Sequence, residues 1–216
     1  MTQLKSLLLI ILFFCLSPML RAERTYRLEV GYNQTHQASK EFRNTYLDGG
    51  MVGGTVDFHL PYNMTVQTGL SYQMTYGFNE QHFTTKSTEQ LEIASRNIYN
   101  HTIAIPVYYT YTQKIWNKLA LFAYVGPKVQ IGLTQSEKLT STLSSDKEAL
   151  FGIASGTTDA YQTKDLSRFN LQFSLGGGVQ WDKYRIKSGY DFGMFNVSNQ
   201  GKIHQKGWYA SLSYAF

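Results

Sequence analysis

The sequence predicts an all-β fold, an eight-stranded antiparallel up-and-down transmembrane β-barrel in the outer membrane of a Gram-negative cell. Three observations carry that expectation. Apolar and polar residues alternate over segments of about ten residues or more, the length a tilted membrane strand needs. The connections between those segments alternate short and long, as barrel turns and outer loops do. The composition combines 15% aromatic residues, 16 of them Tyr, and 18 Gly with only 16% charged residues, where a soluble domain carries about 25%. A mean hydropathy of -0.29 argues against a bundle of apolar helices. It fits a wall with one lipid face and one polar face.

The first 22 residues stand apart. Lys5 is a positive start, Leu7 to Leu16 an apolar run, and Ser17-Pro18 breaks it before Leu20-Arg21-Ala22. That is the pattern of a cleaved secretory leader, residues 1–22, and the run is too short to span a membrane. The remaining residues, 23–216, are expected to form the barrel domain. The only cysteine, Cys15, lies in the leader, so the mature chain is expected to have no disulfide and no thiolate metal site. Loss of Lys5 and Arg21 lowers the formal charge from +5 to +3, and the remaining bases are scattered. A nucleic-acid partner would need a clustered basic stripe, so none is expected.

The strands read as 25–34, 50–60, 64–76, 97–112, 119–133, 167–181, 184–197 and 206–216. Phe169 to Trp181 shows the pattern most cleanly. Phe169, Leu171, Phe173, Leu175, Val179 and Trp181 fall on one face; Asn170, Gln172, Ser174, Gly176, Gly178 and Gln180 fall on the other. Pro61 to Asn63, Gln113 to Lys118 and Asp182-Lys183 are the short connections. Residues 35–49, 77–96 and 134–166 are the long ones. In strand 184–197 the outward set is Tyr184, Ile186, Tyr190, Phe192 and Met194, and Arg185, Lys187 and Asp191 point inward. A slip of one residue would aim those charges at lipid, where a base at the midplane costs about 2–4 kcal/mol. Tyr109, Tyr111, Trp116 and Trp181 mark the interface at the short-turn end, and Tyr32, Tyr72, Tyr76 and Trp208 mark the other. In the closing strand Trp208, Ala210, Leu212, Tyr214 and Phe216 share a face. Trp208, Leu212, Tyr214 and the terminal Phe216 resemble the signal that barrel-assembly machinery reads. Pro106 and Pro127 sit inside neighbouring strands, and bulges are expected there because each lacks a ladder donor.

Two segments resemble a known family. Ile103-Ala-Ile-Pro-Val-Tyr-Tyr-Thr-Tyr111, followed after a turn by Leu121-Phe-Ala-Tyr-Val-Gly-Pro127, is similar to the Ile-Pro and Gly-Pro strands of PorT-like outer-membrane barrels of Bacteroidetes. Tyr190-Asp-Phe-Gly-Met-Phe-Asn-Val-Ser198 and the final strand resemble that family's last hairpin. The chain departs from the family at Tyr108 to Thr110, where a Lys-Tyr pair is common, and at Ala123, where Gly is usual. The resemblance implies an eight-stranded membrane barrel of the small OmpX and OmpA type. Some members are linked to protein secretion.

Eight strands enclose a lumen that side chains fill. The inward charges are expected to be Arg27, Glu29, Asp57, Lys128, Arg185, Lys187 and Asp191, with His59 nearby, and to form a paired structural plug because buried charges need partners. The histidines His36, His59, His82, His101 and His204 lack metal-binding spacing, so no metal or other cofactor is expected. Gly176-Gly177-Gly178 has no helix after it and reads as room for larger lumenal neighbours. Lipid A deacylases of the PagL type use His-x-Ser-Asn on a late strand. Here Asn196-Val197-Ser198-Asn199 has Asn in place of the base, and a neutral amide cannot take the serine proton. The leading reading is therefore a non-enzymatic barrel, with no catalytic residue, whose long outer loops bind other molecules or which serves structurally. The expected partners are outer-membrane lipid and lipopolysaccharide, the assembly machinery during biogenesis, and an envelope or secretion component. The alternatives are a narrow porin-like channel and a lipid A-modifying hydrolase.

Overall fold

Strands form here because alternate residues face lipid and a polar interior. In the computed structural model, residues 22–38, 45–84, 91–141, 156–163, 166–197 and 204–216 are described. The leader expected over 1–22 lies outside them except for Ala22. The elements are β1 (Arg24–Ala38), β2 (Thr45–Leu60), β3 (Met64–Thr84), β4 (Leu91–Lys114), β5 (Leu119–Ser141), β6 (Gly156–Asp159), β7 (Phe169–Trp181), β8 (Tyr184–Gly193) and β9 (His204–Ala215). Every pairing is antiparallel. The order β4-β3-β2-β1-β9-β8-β7-β5 closes through a β4–β5 ladder into a ring of eight, with β6 added to β5 outside it.

The seam joins the first strand to the last, with Arg27 opposite Ala215 and Ala38 opposite His204. Following ladder partners once around the ring carries Val66 of β3 through Tyr109, Val125, Leu175, Tyr190, Trp208, Gln34 and Asp48 back to Tyr76 of the same strand. That displacement of ten residues over eight strands corresponds to a strand tilt of roughly 40°. The turn at Pro61–Asn63 places Tyr62 and Asn63 at φ 63° and 60°. Positive φ at both central residues matches the right-handed twist of the hairpin it closes.

Burial follows the alternation and inverts the usual core. Tyr26, Leu28, Val30 and Tyr32 are exposed, while Arg27 and Glu29 between them and Asn33 after them are buried. The outward residues Ile186, Leu212, Leu175 and Val52 repeat this around the ring.

The turn ends of the strands lie where the sequence places them, and the loop ends do not. Strands β3, β4 and β5 run 21, 24 and 23 residues, against about 9–11 for a membrane crossing. Much of the stretches expected as loops at 77–96 and 134–166 is therefore strand. Among the described residues the β2–β3 ladder ends at the Asp48–Tyr76 pair, with Asn79 still donating to Thr45 of β2 at 2.5 Å, while the ladder from β3 to β4 runs on to Thr84. On the far side β6 pairs with Ser136–Leu139 of β5. A four-stranded sheet, β3-β4-β5-β6, thus stands above the ring. Conversely, β7 begins at Phe169 and β8 ends at Gly193, inside the expected limits.

The bulges expected at Pro106 and Pro127 are absent. Ladder pairs are missing between Thr68–Val107 and Ser71–Ala104, and between Pro106–Lys128 and Tyr109–Val125, but the register is the same on both sides of each gap. Each proline removes a donor without inserting a residue. The register shift in the β4–β5 ladder falls instead at His101/Thr102, where Leu133 is the extra residue between partners Gly132 and Thr134. It switches the inward set of β5 from even to odd positions, so that Gln135 is buried.

Lipid-facing burial predicts a direct cost. Leu212→Arg is expected to destabilise the barrel by about 2–4 kcal/mol in equilibrium unfolding in lipid vesicles. Lys206→Arg, nearer the loop end of the same face, should be close to neutral.

A candidate functional site: the lumen

The parity of each strand decides which side chains enter the lumen, and seven of the eight residues expected there do so. Nearest the turns, Asp57 of β2 accepts from Arg27 of β1 at 2.8 Å and pairs with Arg185 of β8 at 3.1 Å. The Gln67 amide donates to its other oxygen at 2.7 Å. Two guanidiniums share one carboxylate, which explains how four lumenal bases coexist with three acids. Both also donate to Gln180 Oε1, Arg185 at 2.8 Å and Arg27 at 3.4 Å, and Arg185 lies 4.8 Å from the centre of the Phe122 ring. Delocalised guanidinium charge suits both contacts.

One layer further in, Lys187 of β8 pairs with Glu29 of β1 at 2.9 Å. Its ammonium lies 5.6–5.7 Å from the ring centres of Tyr108, Tyr124 and Tyr209. Lys128 of β5 then pairs with Asp191 of β8, which also accepts from Ser174 at 2.5 Å. His59 does not join these charges. It is exposed at the turn-end rim and bonded to Thr25 and Thr65 at 2.9 and 3.5 Å. Two residues beyond Asp57 on the inward parity, it has already left the enclosed part of the ring.

The tyrosines were not singled out in the sequence, although their parity carried the signal. Tyr108 is inward between outward Val107 and Tyr109, and Tyr209 between Trp208 and Ala210. Strands β4 and β9 are four apart by either route round the ring. Even so, Tyr209 OH donates to Tyr108 OH at 3.4 Å, Tyr124 OH to Tyr209 OH at 2.7 Å, and Tyr108 OH to Ser174 Oγ at 3.2 Å. Opposite walls therefore touch. Gly176 and Gly189 lie against Tyr124, where any Cβ would collide with its ring or hydroxyl. A cavity of about 20 Å³ remains beside Tyr108, Lys128, Lys187 and Pro106, room for about one water.

Above the charges the lumen becomes neutral. Gln130 donates to Gln73 at 3.1 Å, and Asn170 to Gln205 at 3.0 Å. An apolar cap lies above these amides. Ala160, Tyr161, Leu166 and Val197 pack together, and Leu47 and Ile98 are fully buried at the same end. Tyr161 follows β6, donates to Asn100 Oδ1 at 3.3 Å and packs on Gly132, where a Cβ would strike its ring. Burial pushes its phenol up to about 12, so it stays a neutral donor. This cap had no periodic signature in the sequence.

The arrangement consists of ion pairs and hydrogen bonds that cross the lumen. Among the described residues, no three His, Cys, Asp or Glu side chains converge to hold a metal. In the Asn196–Asn199 stretch, Ser198 and Asn199 lie outside the described residues, and Asn196 is exposed.

Removing one partner of a buried pair strands the other. Glu29→Gln is expected to cost about 3–5 kcal/mol in urea unfolding of the folded barrel. Adding Lys187→Met should recover most of that loss. A single variant as stable as wild type would show that the pair is hydrated rather than buried.

Solved structures similar to the chain include the attachment invasion locus protein Ail of Yersinia pestis, with 14% identity, TM-score 0.41, and 90% of this chain and 99% of that one covered. Neisserial surface protein A gives 8% identity, TM-score 0.46 and the same coverages. The N-terminal β-barrel domain of Pseudomonas aeruginosa OprF gives 13% identity and TM-score 0.31, covering 87% of this chain and 97% of that one. No curated protein matches the chain. The model of the outer membrane protein beta-barrel domain matches residues 19–199. With a ring of eight antiparallel strands, a lipid-type exterior and a polar interior, the chain belongs to the outer membrane β-barrel domain family.

Proposed function

We propose that this barrel is non-enzymatic and closed to solutes, and that it acts by binding an extended polypeptide at the extracellular sheet β3-β4-β5-β6. The observation that carries the first half is the contact between opposite walls, Tyr108 to Tyr209, layered between buried ion pairs. A hydrated ion would have to displace charges that are already paired and desolvated. For the second half, the sheet continues well past the length a bilayer requires, and its flanks at Glu80–Thr84 and β6 have a ladder on one side only among the described residues. Strand edges of that kind accept a partner strand through main-chain hydrogen bonds. An envelope or secretion component is the partner class that the PorT-like resemblance implies.

The final strand supports a second contact, during biogenesis. Trp208, Leu212 and Phe216 are exposed on the lipid face, and Tyr214 packs edge-on against Phe216 at 5.3 Å. An assembly factor that pairs with the last strand would meet these side chains before β1 closes the seam.

Planar-bilayer recording on the pure chain is expected to show no resolvable unitary currents; steady openings would favour the narrow channel instead. Mass spectrometry of lipid A from cells overproducing the protein should show unchanged acylation, and loss of an acyl chain would overturn the non-enzymatic reading.

A further inference from the structure

The outward face of the barrel is not uniform. Hydrogen-bonded rows climb the ring by ten residues per circuit, so a level line shifts by about one residue at each strand. On that line Gln34 of β1, Asp48 of β2 and Lys206 of β9 stand at the height of Ile131 of β5, Phe169 of β7 and Phe192 of β8. Ile131, Phe169 and Phe192 are exposed, apolar and lipid-facing. On the β9-β1-β2 side the apolar wall ends lower, at Val30, Val52 and Leu212, by roughly 10 Å. The polar notch above it is built rather than ragged. Trp208 donates to Gln34 at 2.9 Å, Gln34 donates to Asp48 Oδ1 at 2.7 Å, and Tyr32 donates to the same oxygen. The Tyr32 and Trp208 rings meet at 5.3 Å and 49°. Lys206 lies directly across the ladder from His36.

We propose that this notch binds the phosphorylated amino-sugar headgroup of an outer-leaflet glycolipid. The inference rests on the outer-membrane location and not on the closed lumen or the strand-binding sheet. Two tilted aromatic faces stack on the C–H faces of a sugar. Asp48 keeps Oδ2 unpaired among the described residues and accepts from a sugar hydroxyl or amide. Lys206 takes the phosphate. The acyl chains then run down Val30, Val52 and Leu212, which lie beneath the polar row. A phospholipid offers Lys206 its phosphate and Asp48 an amine or hydroxyl, but gives the paired rings no sugar face to stack on.

The test uses the mature chain in phospholipid nanodiscs, titrated with purified lipid A and read by native mass spectrometry. Tyr32→Leu with Lys206→Gln is expected to weaken lipid A binding at least tenfold, and Phe169→Leu on the opposite wall to leave it unchanged. Trp208 is left intact because it is one of the side chains an assembly factor would meet on the closing strand. Heat-modifiable migration on gels reports folding of each variant. Dephosphorylated lipid A should bind the wild type as weakly as lipid A binds Lys206→Gln, a comparison that needs only single-site or native protein. The proposal is overturned if the double variant binds like wild type, or if phosphatidylglycerol competes equally, which would leave an anion site alone. A dimer that the double variant dissolves would assign the notch to a second copy of this chain, and would overturn it too.

Discussion

Everything in this molecule depends on the absence of water around its middle. A backbone N–H or C=O facing hydrocarbon has no partner other than another strand, so the sheet must close. The seam between β1 and β9 meets that requirement along twelve paired positions, from Arg27–Ala215 to Ala38–His204. Closure in turn fixes side-chain parity. Once Leu28 and Leu212 face lipid, Glu29 and Ser211 have nowhere to go except the lumen.

The interior is then obliged to satisfy itself. Buried ion pairs rarely stabilise a fold on net, because desolvation cancels most of their attraction. Their contribution here is better placed in specificity. Asp57 meets Arg185 from a strand three positions away in the ring, and Lys187 meets Glu29 across β9. A strand that slipped by one residue would lose its partner in the lumen and expose a charge to lipid at once, so both faces reject the same error. The tyrosines add what charges lack, since Tyr108, Tyr124 and Tyr209 fill volume and accept the Lys187 ammonium on their faces.

How far the sequence could be read follows from the same physics. Alternation is written wherever lipid lies on one side and a polar lumen on the other, and there it placed the turn ends of the strands to within a few residues. Past the bilayer both faces of a strand meet water or protein, and selection for alternation lapses. Gln81 and His82 of β3, and Glu92 opposite Phe83, carry no period, although they are paired as strand. The bulge at Leu133 conceals more, because it reverses parity in mid-strand and makes the run to Ser141 look like loop. The lumenal charges were legible because a charge on an apolar-alternating strand can only face inward. His59 was misplaced because parity gives direction but not depth. Tyr161 was invisible because a residue that dips back from a loop belongs to no strand at all.

The two prolines show how a closed ring tolerates damage. Pro106 of β4 and Pro127 of β5 lie at nearly the same height, since Pro106 pairs with Lys128 and the register is unbroken. Missing donors flank β4 on both sides there, which would weaken an open sheet and invite a lateral gap. The side chains beside them reach across the lumen instead. Tyr108, two residues from Pro106, bonds to Ser174 of β7 and Tyr209 of β9, and Lys128, next to Pro127, bonds to Asp191 of β8. Bonds through the centre thus lie at the level of the gaps, made by a residue that the proline's own parity or its neighbour's directs inward. The wall is tied across the lumen at its weakest level.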